Sequence, residues 1–191
     1  MKQHSVKQPH VPTSKLDGVA KEAKRFVHFN RAVAAQGDRL ADSEQSFVRD
    51  AAYEATPEVA RALAAIDARA AAVLVAGRAG TGKTRLVQYI KSRPGGELQA
   101  TVAPTGIAAL NVRAQTIHSF FHLEHAVLDA KNLSRAGKFG SLYRRINRLV
   151  IDEISMVRAD VVDAIDARLR QVRGDKRPFG GVQIVMVGDF L

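Results

Sequence analysis

Gly77-Arg78-Ala79-Gly80-Thr81-Gly82-Lys83-Thr84 is the stretch whose reading decides the fold. It satisfies G-x-x-x-x-G-K-[ST], the phosphate-binding loop. An apolar run, Ala71-Ala72-Val73-Leu74-Val75-Ala76, precedes it, and Arg85-Leu86-Val87-Gln88-Tyr89-Ile90 follows with Leu86, Val87 and Ile90 on one helical face. A buried strand, a glycine-rich turn and a helix are the setting this motif requires. The glycines let successive N–H groups point at phosphate oxygens, and the helix N-terminus adds partial positive charge. Lys83 is expected to reach the β- and γ-phosphates, and the Thr84 hydroxyl to ligate Mg²⁺.

Working outward, Thr56-Pro57-Glu58 starts a helix: an N-cap threonine, proline at the first helical position, an acid in the first turn. Val59, Leu63 and Ile66 line one face, and the helix is expected to end by Arg69. Beyond the loop helix, Arg93-Pro94-Gly95-Gly96 breaks the chain. Gln99–Ala103 reads as a second strand, leading into Pro104-Thr105-Gly106 and a short helix. Strand–helix–strand alternation predicts a parallel sheet covered on both faces, with functional loops at the strands' carboxyl ends. The phosphate loop and the Pro104–Gly106 turn should share that rim.

Leu149-Val150-Ile151-Asp152-Glu153 is an apolar strand ending in two acids. Asp152 is placed to hold Mg²⁺. Glu153 is placed to orient and deprotonate the water that attacks the γ-phosphate. Val157–Val172 reads as an amphipathic helix: Val157, Val161, Ile165, Leu169 and Val172 inside, with Asp160, Asp163, Asp166, Arg168 and Arg170 outside. After a turn at Pro178-Phe179-Gly180-Gly181, Val182–Val187 forms another strand, and Asp189 at its tip could sense the γ-phosphate or the Mg²⁺ water shell. The fold class is therefore α/β.

The 191 residues carry a net charge of +10 and a pI near 10.3, a balance that favours polyanions, nucleic acid before anionic membrane. With no cysteine, disulfides and thiolate metal sites are excluded, as fits the cytosol. No apolar run approaches the roughly 18 residues of a membrane span, and Met1–Ser5 does not open a signal peptide. Residues 1–50 read as a basic, partly disordered or helical leader, ahead of a domain over 51–191. Within positions 1–35, Lys2, Lys7, Lys15, Lys21, Lys24, Arg25 and Arg31 face only Asp17 and Glu22. The leader reads either as an arm on DNA phosphates or as a mobile tail. The basic stretch Ala126–Arg148, with Lys131, Arg135, Lys138, Arg144, Arg145 and Arg148, is likewise open between phosphate contact and a solvated face. Phe120 and Phe121 are open between core and base-stacking platform. His118, His122 and His125 lack the partners of a metal site.

Five segments together carry a resemblance: Gly77–Thr84, Ala103-Pro104-Thr105-Gly106-Ile107-Ala108-Ala109, Thr116-Ile117-His118-Ser119-Phe120, Ile151-Asp152-Glu153-Ile154-Ser155-Met156, and Pro178-Phe179-Gly180-Gly181 with Val187-Gly188-Asp189-Phe190. In order and spacing, from about residue 56 to 191, the chain resembles PIF-type DNA helicases of superfamily one, relatives of RecD-like helicases. The resemblance implies a RecA-like three-layer α/β/α domain with a mostly parallel sheet, ATP and Mg²⁺ as ligands, and 5′→3′ translocation on single-stranded DNA with unwinding of forked duplexes. It implies ATP–Mg²⁺ binding by Gly77 to Thr84, a Walker B pair at Asp152 and Glu153, and catalytic roles for Lys83, Asp152 and Glu153. It further implies DNA contacts at Thr105, Gly106, His118, Ser119 and Phe120, and a coupling motif beginning at Asp189 and Phe190. DNA repair, recombination and telomere-type maintenance are the family's settings. Closeness to bacterial members suggests a cytoplasmic, nucleoid-associated protein. Val59 stands near the place of the family's adenine-reading glutamine. The chain is expected to be a fragment lacking a second RecA-like domain, which would supply an arginine finger, and by itself to bind ATP–Mg²⁺ without fast turnover. The alternative is another phosphate-loop ATPase that binds DNA without unwinding it.

Overall fold

A computed structural model describes residues 55–93, 98–124, 128–130, 133 and 139–190. The leader, Gly95, Gly96, His125, Lys131, Arg135, Gly137 and Lys138 lie outside them.

Thr56 starts α1 (Pro57–Asp67) as expected: its hydroxyl accepts from the Val59 N–H at 3.4 Å. Ile66 is fully buried, and Val59 and Leu63 pack beside it. The chain then alternates through β1 (Ala72–Ala76), α2 (Lys83–Ser92), β2 (Leu98–Ala103), α3 (Gly106–Asn111), β3 (Gln115–Thr116), α4 (Ile117–Phe121), α5 (Gly140–Arg145), β4 (Ile146–Ile151), α6 (Ala159–Arg173) and β5 (Gln183–Gly188).

All four strand pairings are parallel, in the order β1-β5-β4-β2-β3. Side-chain alternation divides the core in two. Val73, Val150, Val185 and Val187 face α1 and α2, with Leu86, Val87 and Ile90 of α2 packed on them. Ala100, Val102, Leu149, Ile151 and Ile184 face the other way, onto α4, α5 and α6. The result is the three-layer α/β/α arrangement. Because every strand runs the same way, the segments after β1, β2, β3, β4 and β5 emerge on one rim.

One assignment made from helical periodicity is corrected, and one cation of the basic stretch is placed. Arg168 is 1% exposed, not outside. It stands one turn from Ala164 and three residues from Ile165, so it shares the buried face of α6. Arg148 is half-buried and bonded within the sheet rather than fully solvated. It is the third residue of β4, in the half of the strand away from the phosphate loop, and donates to the side-chain oxygens of Gln183 (2.7 Å) and Gln99 (3.3 Å). Arg144 and Arg145 end α5, immediately before β4, and so belong to the rim opposite the phosphate loop.

The Pro178–Gly181 turn is fixed to α6. Asp166 accepts the Phe179 N–H at 2.5 Å, and Arg173 donates to the Gly180 carbonyl at 2.6 Å. Gly180 has φ +60°, and a Cβ there would lie 2.7 Å from the Leu169 carbonyl oxygen. Only glycine fits.

Candidate nucleotide and nucleic-acid site

The phosphate loop is shaped by two left-handed glycines, Gly80 (φ 81°) and Gly82 (φ 83°), the second serving as the N-cap of α2. Gly77 N–H donates to the Gly188 carbonyl at 3.2 Å, which ties the loop to the end of β5. A Cβ on Gly77 would sit 2.8 Å from the Thr81 hydroxyl, so the curl is tight at its start. Thr81 closes it by donating its hydroxyl to the Arg78 carbonyl at 2.8 Å. Arg78, Ala79, Gly80, Thr81, Gly82 and Thr84 are exposed; Gly77 and Lys83 are half-buried.

Lys83 folds back over the loop. Its Nζ donates to the carbonyls of Gly77 (2.6 Å) and Arg78 (2.9 Å). These neutral acceptors hold the ammonium within the loop's curl, where an anionic oxygen would compete for it with the stronger, charge-assisted bond. Asp152, the first residue past β4, is 3% exposed. Burial pushes its carboxyl above the ordinary value; a backbone hydrogen bond and the charge of Lys83 act the other way, while Glu153 adds to the rise. Glu153 is half-buried, with left-handed backbone at φ 51°, ψ 43°. A non-glycine residue held there stores strain of about 1–3 kcal/mol. The left-handed backbone there turns the chain directly after Asp152. Asp189 is half-buried at the tip of β5. The donor set thus suits a triphosphate with a hard cation: backbone N–H groups, one ammonium, a threonine hydroxyl and a buried carboxylate.

The other two segments continue the rim. Thr105 and Gly106 are exposed after β2, and the Thr105 hydroxyl accepts from Ala108 N–H at 3.2 Å, capping α3. Thr116, which the sequence reading did not single out as a cap, does the same for α4: its hydroxyl accepts from Ser119 N–H at 3.3 Å. An N-cap threonine that ends a two-residue strand and opens a five-residue helix gives too short a periodic signal to find. His118 is half-buried and Ser119 exposed. Phe120 departs from the stacking-platform reading. It is 4% exposed, with its ring 4.9 Å from that of Phe121 and 5.7 Å from that of Tyr143, whose hydroxyl donates to the Phe120 carbonyl at 2.7 Å. Its ring is part of the core and offers no face to a base.

Comparisons with known proteins bear on the same segments. Residues 54–191 match the sequence profile described as PIF1-like helicase. The ATP-dependent DNA helicase PIF1 of Saccharomyces cerevisiae is 37% identical over 126 residues, which cover 62% of this chain and 15% of that protein. The crystal structure of Pif1 helicase from Bacteroides in complex with ADP-AlF3 and single-stranded DNA superposes with a TM-score of 0.65 at 37% identity, over 70% of this chain and 32% of that one. A structure of two coordinating Pif1 helicases at forked duplex DNA gives 0.61 at 38%, over 70% and 33%. The chain therefore spans about a third or less of the relatives it matches. With residues 54–191, most of its length, matched to that profile, the chain belongs to the PIF1-like helicase family.

Proposed function

We propose that this chain is the nucleotide-binding domain of an ATP-dependent DNA helicase that moves 5′→3′ on single-stranded DNA and unwinds forked duplexes. The observation that carries the reading is the convergence of Lys83, Thr84, Asp152 and Glu153 on one rim, with Thr105, Gly106, His118 and Ser119 further along it. Gly77 to Thr84 bind the phosphates of ATP through backbone N–H groups, and Lys83 moves from loop carbonyls to phosphate oxygen. Thr84 and Asp152 would hold Mg²⁺, which supplies positive charge against the phosphate oxygens. Glu153 orients the attacking water and accepts its proton on the carboxylate. A second RecA-like domain completes the site with an arginine, worth about 10³–10⁵ in rate in phosphate-loop enzymes. DNA repair, recombination or telomere-type maintenance, at the nucleoid if the source is bacterial, are the settings that the family resemblance supports.

Glu153→Gln in the full-length protein tests the division of labour. It should keep nucleotide affinity while slowing ATP turnover by about 10²-fold or more. Turnover at the unsubstituted rate would remove Glu153 from the reaction.

A further inference from the structure

α3 carries Thr105 and Gly106 at its amino end, yet its own packing holds it weakly. Its buried side chains, Ala108 and Ala109, form with Ala103 of β2 a small cluster of alanines. Its large side chains, Ile107 and Leu110, are 76% and 58% exposed. Three alanines bury little apolar surface, and six residues are too few for a helix to be stable by itself.

Backbone N–H groups of Arg113 and Ala114 close the far end of α3 onto the Leu110 and Ala109 carbonyls, and side chains of α2, the helix that opens with Lys83 and Thr84, hold the carbonyls that follow. Gln88 Nε2 donates to the Asn111 carbonyl at 3.1 Å. Lys91 Nζ donates to the Val112 carbonyl and, at 2.8 Å, to the Arg113 carbonyl. Asn111 is the last residue of α3, Val112 its C-cap and Arg113 the residue after, so these bonds hold the chain where it leaves the helix, and a cation there also complements the helix dipole. Val112 is fully buried in the cluster that contains Leu86, Val87 and Ile90 of α2. α3 is about 9 Å long at 1.5 Å per residue. The bonded end of α3 is thus less than two turns from Gly106.

We propose that Gln88 and Lys91 are positioning residues that clamp α3 to the phosphate-loop helix and transmit nucleotide state to the DNA grip. The proposal rests on the reading of Thr105 and Gly106 as DNA contacts. Both residues act through α3, by the carbonyls they hold at its far end.

The test uses the full-length protein, an oligothymidylate probe, and ADP with aluminium fluoride as the nucleotide state. The double variant Gln88→Leu/Lys91→Met should keep nucleotide affinity within about twofold, while DNA stimulation of ATP turnover falls at least tenfold. The ratio of DNA affinities with and without nucleotide should fall toward one. Lys91→Arg, which keeps a cationic donor, should recover most of that ratio, as a loss caused by general misfolding would not. Gly106→Asp separates the two levels, because a Cβ at Gly106 meets nothing within 4 Å. It should weaken DNA binding in both nucleotide states. DNA affinity unchanged in Gly106→Asp would overturn the contact reading beneath the proposal. Weakened affinity there, with an unchanged ratio in the double variant, would overturn the clamp alone.

Discussion

Asp152 and Lys83 lie within electrostatic reach of each other although β5 stands between the strands that lead to them. The buried carboxylate is left at a cost in the nucleotide-free protein, since one ammonium shared with two loop carbonyls does not offset its lost hydration.

That cost has a sign. Burial raises the folded-state pKa of Asp152 above its unfolded value. The folded state then holds a proton that the unfolded chain has released, so stability falls as pH rises from the ordinary carboxylate range through the raised pKa. Asp152→Asn should therefore raise nucleotide-free stability at neutral pH by about 0.5–2 kcal/mol, with ATP turnover lost. Thermal melts across pH check this: the gain should shrink toward acid pH, and a variant less stable than the parent at neutral pH would contradict it.

Lys91 gives a window at the other end of the scale. Burial, and then the nearby charge of Arg113, pull its pKa from 10.5 down to about 8. Between those values the unfolded chain binds the extra proton, so this group makes stability rise with pH from about 8 to 10.5. Denaturant titrations of the parent and of Lys91→Met should diverge over that window, the parent gaining. Parallel curves would show that the Lys91 ammonium is not desolvated.

Gly180 and Gly174 form a matched pair. Both are left-handed, at φ +60° and +64°, but a Cβ at Gly174 meets nothing within 4 Å. Alanine at either position should cost about 1–3 kcal/mol in backbone strain. At Gly180 the collision with the Leu169 carbonyl adds to it, so the melting temperature should drop further than at Gly174, on the order of 5 °C or more below the parent. Equal losses in the two variants would mean that α6 yields freely at Leu169.

The parallel sheet was legible because β1, the second half of β4 and β5 are apolar runs that end in, or run directly into, glycine or acid. The phosphate loop and the Asp152–Glu153 pair were legible because their chemistry is local in sequence. The clamp was not: Gln88 and Lys91 read as ordinary polar positions on a helix, and their partners are carbonyls some 21 to 23 residues away. Phe120 could not be assigned without knowing that Tyr143 packs on it. Arg168 lay outside the expected stripe because periodicity gives a face its centre but not its width.

The most direct measurement of the central claim is strand displacement by the full-length protein on a fork with a 5′ single-stranded tail, with ATP and Mg²⁺, compared with its Lys83→Ala variant. Unwinding by the parent, absent without the 5′ tail and abolished in Lys83→Ala, is the expected result. ATP-dependent unwinding that survives Lys83→Ala, or ATP turnover on DNA with no displacement at all, would contradict it.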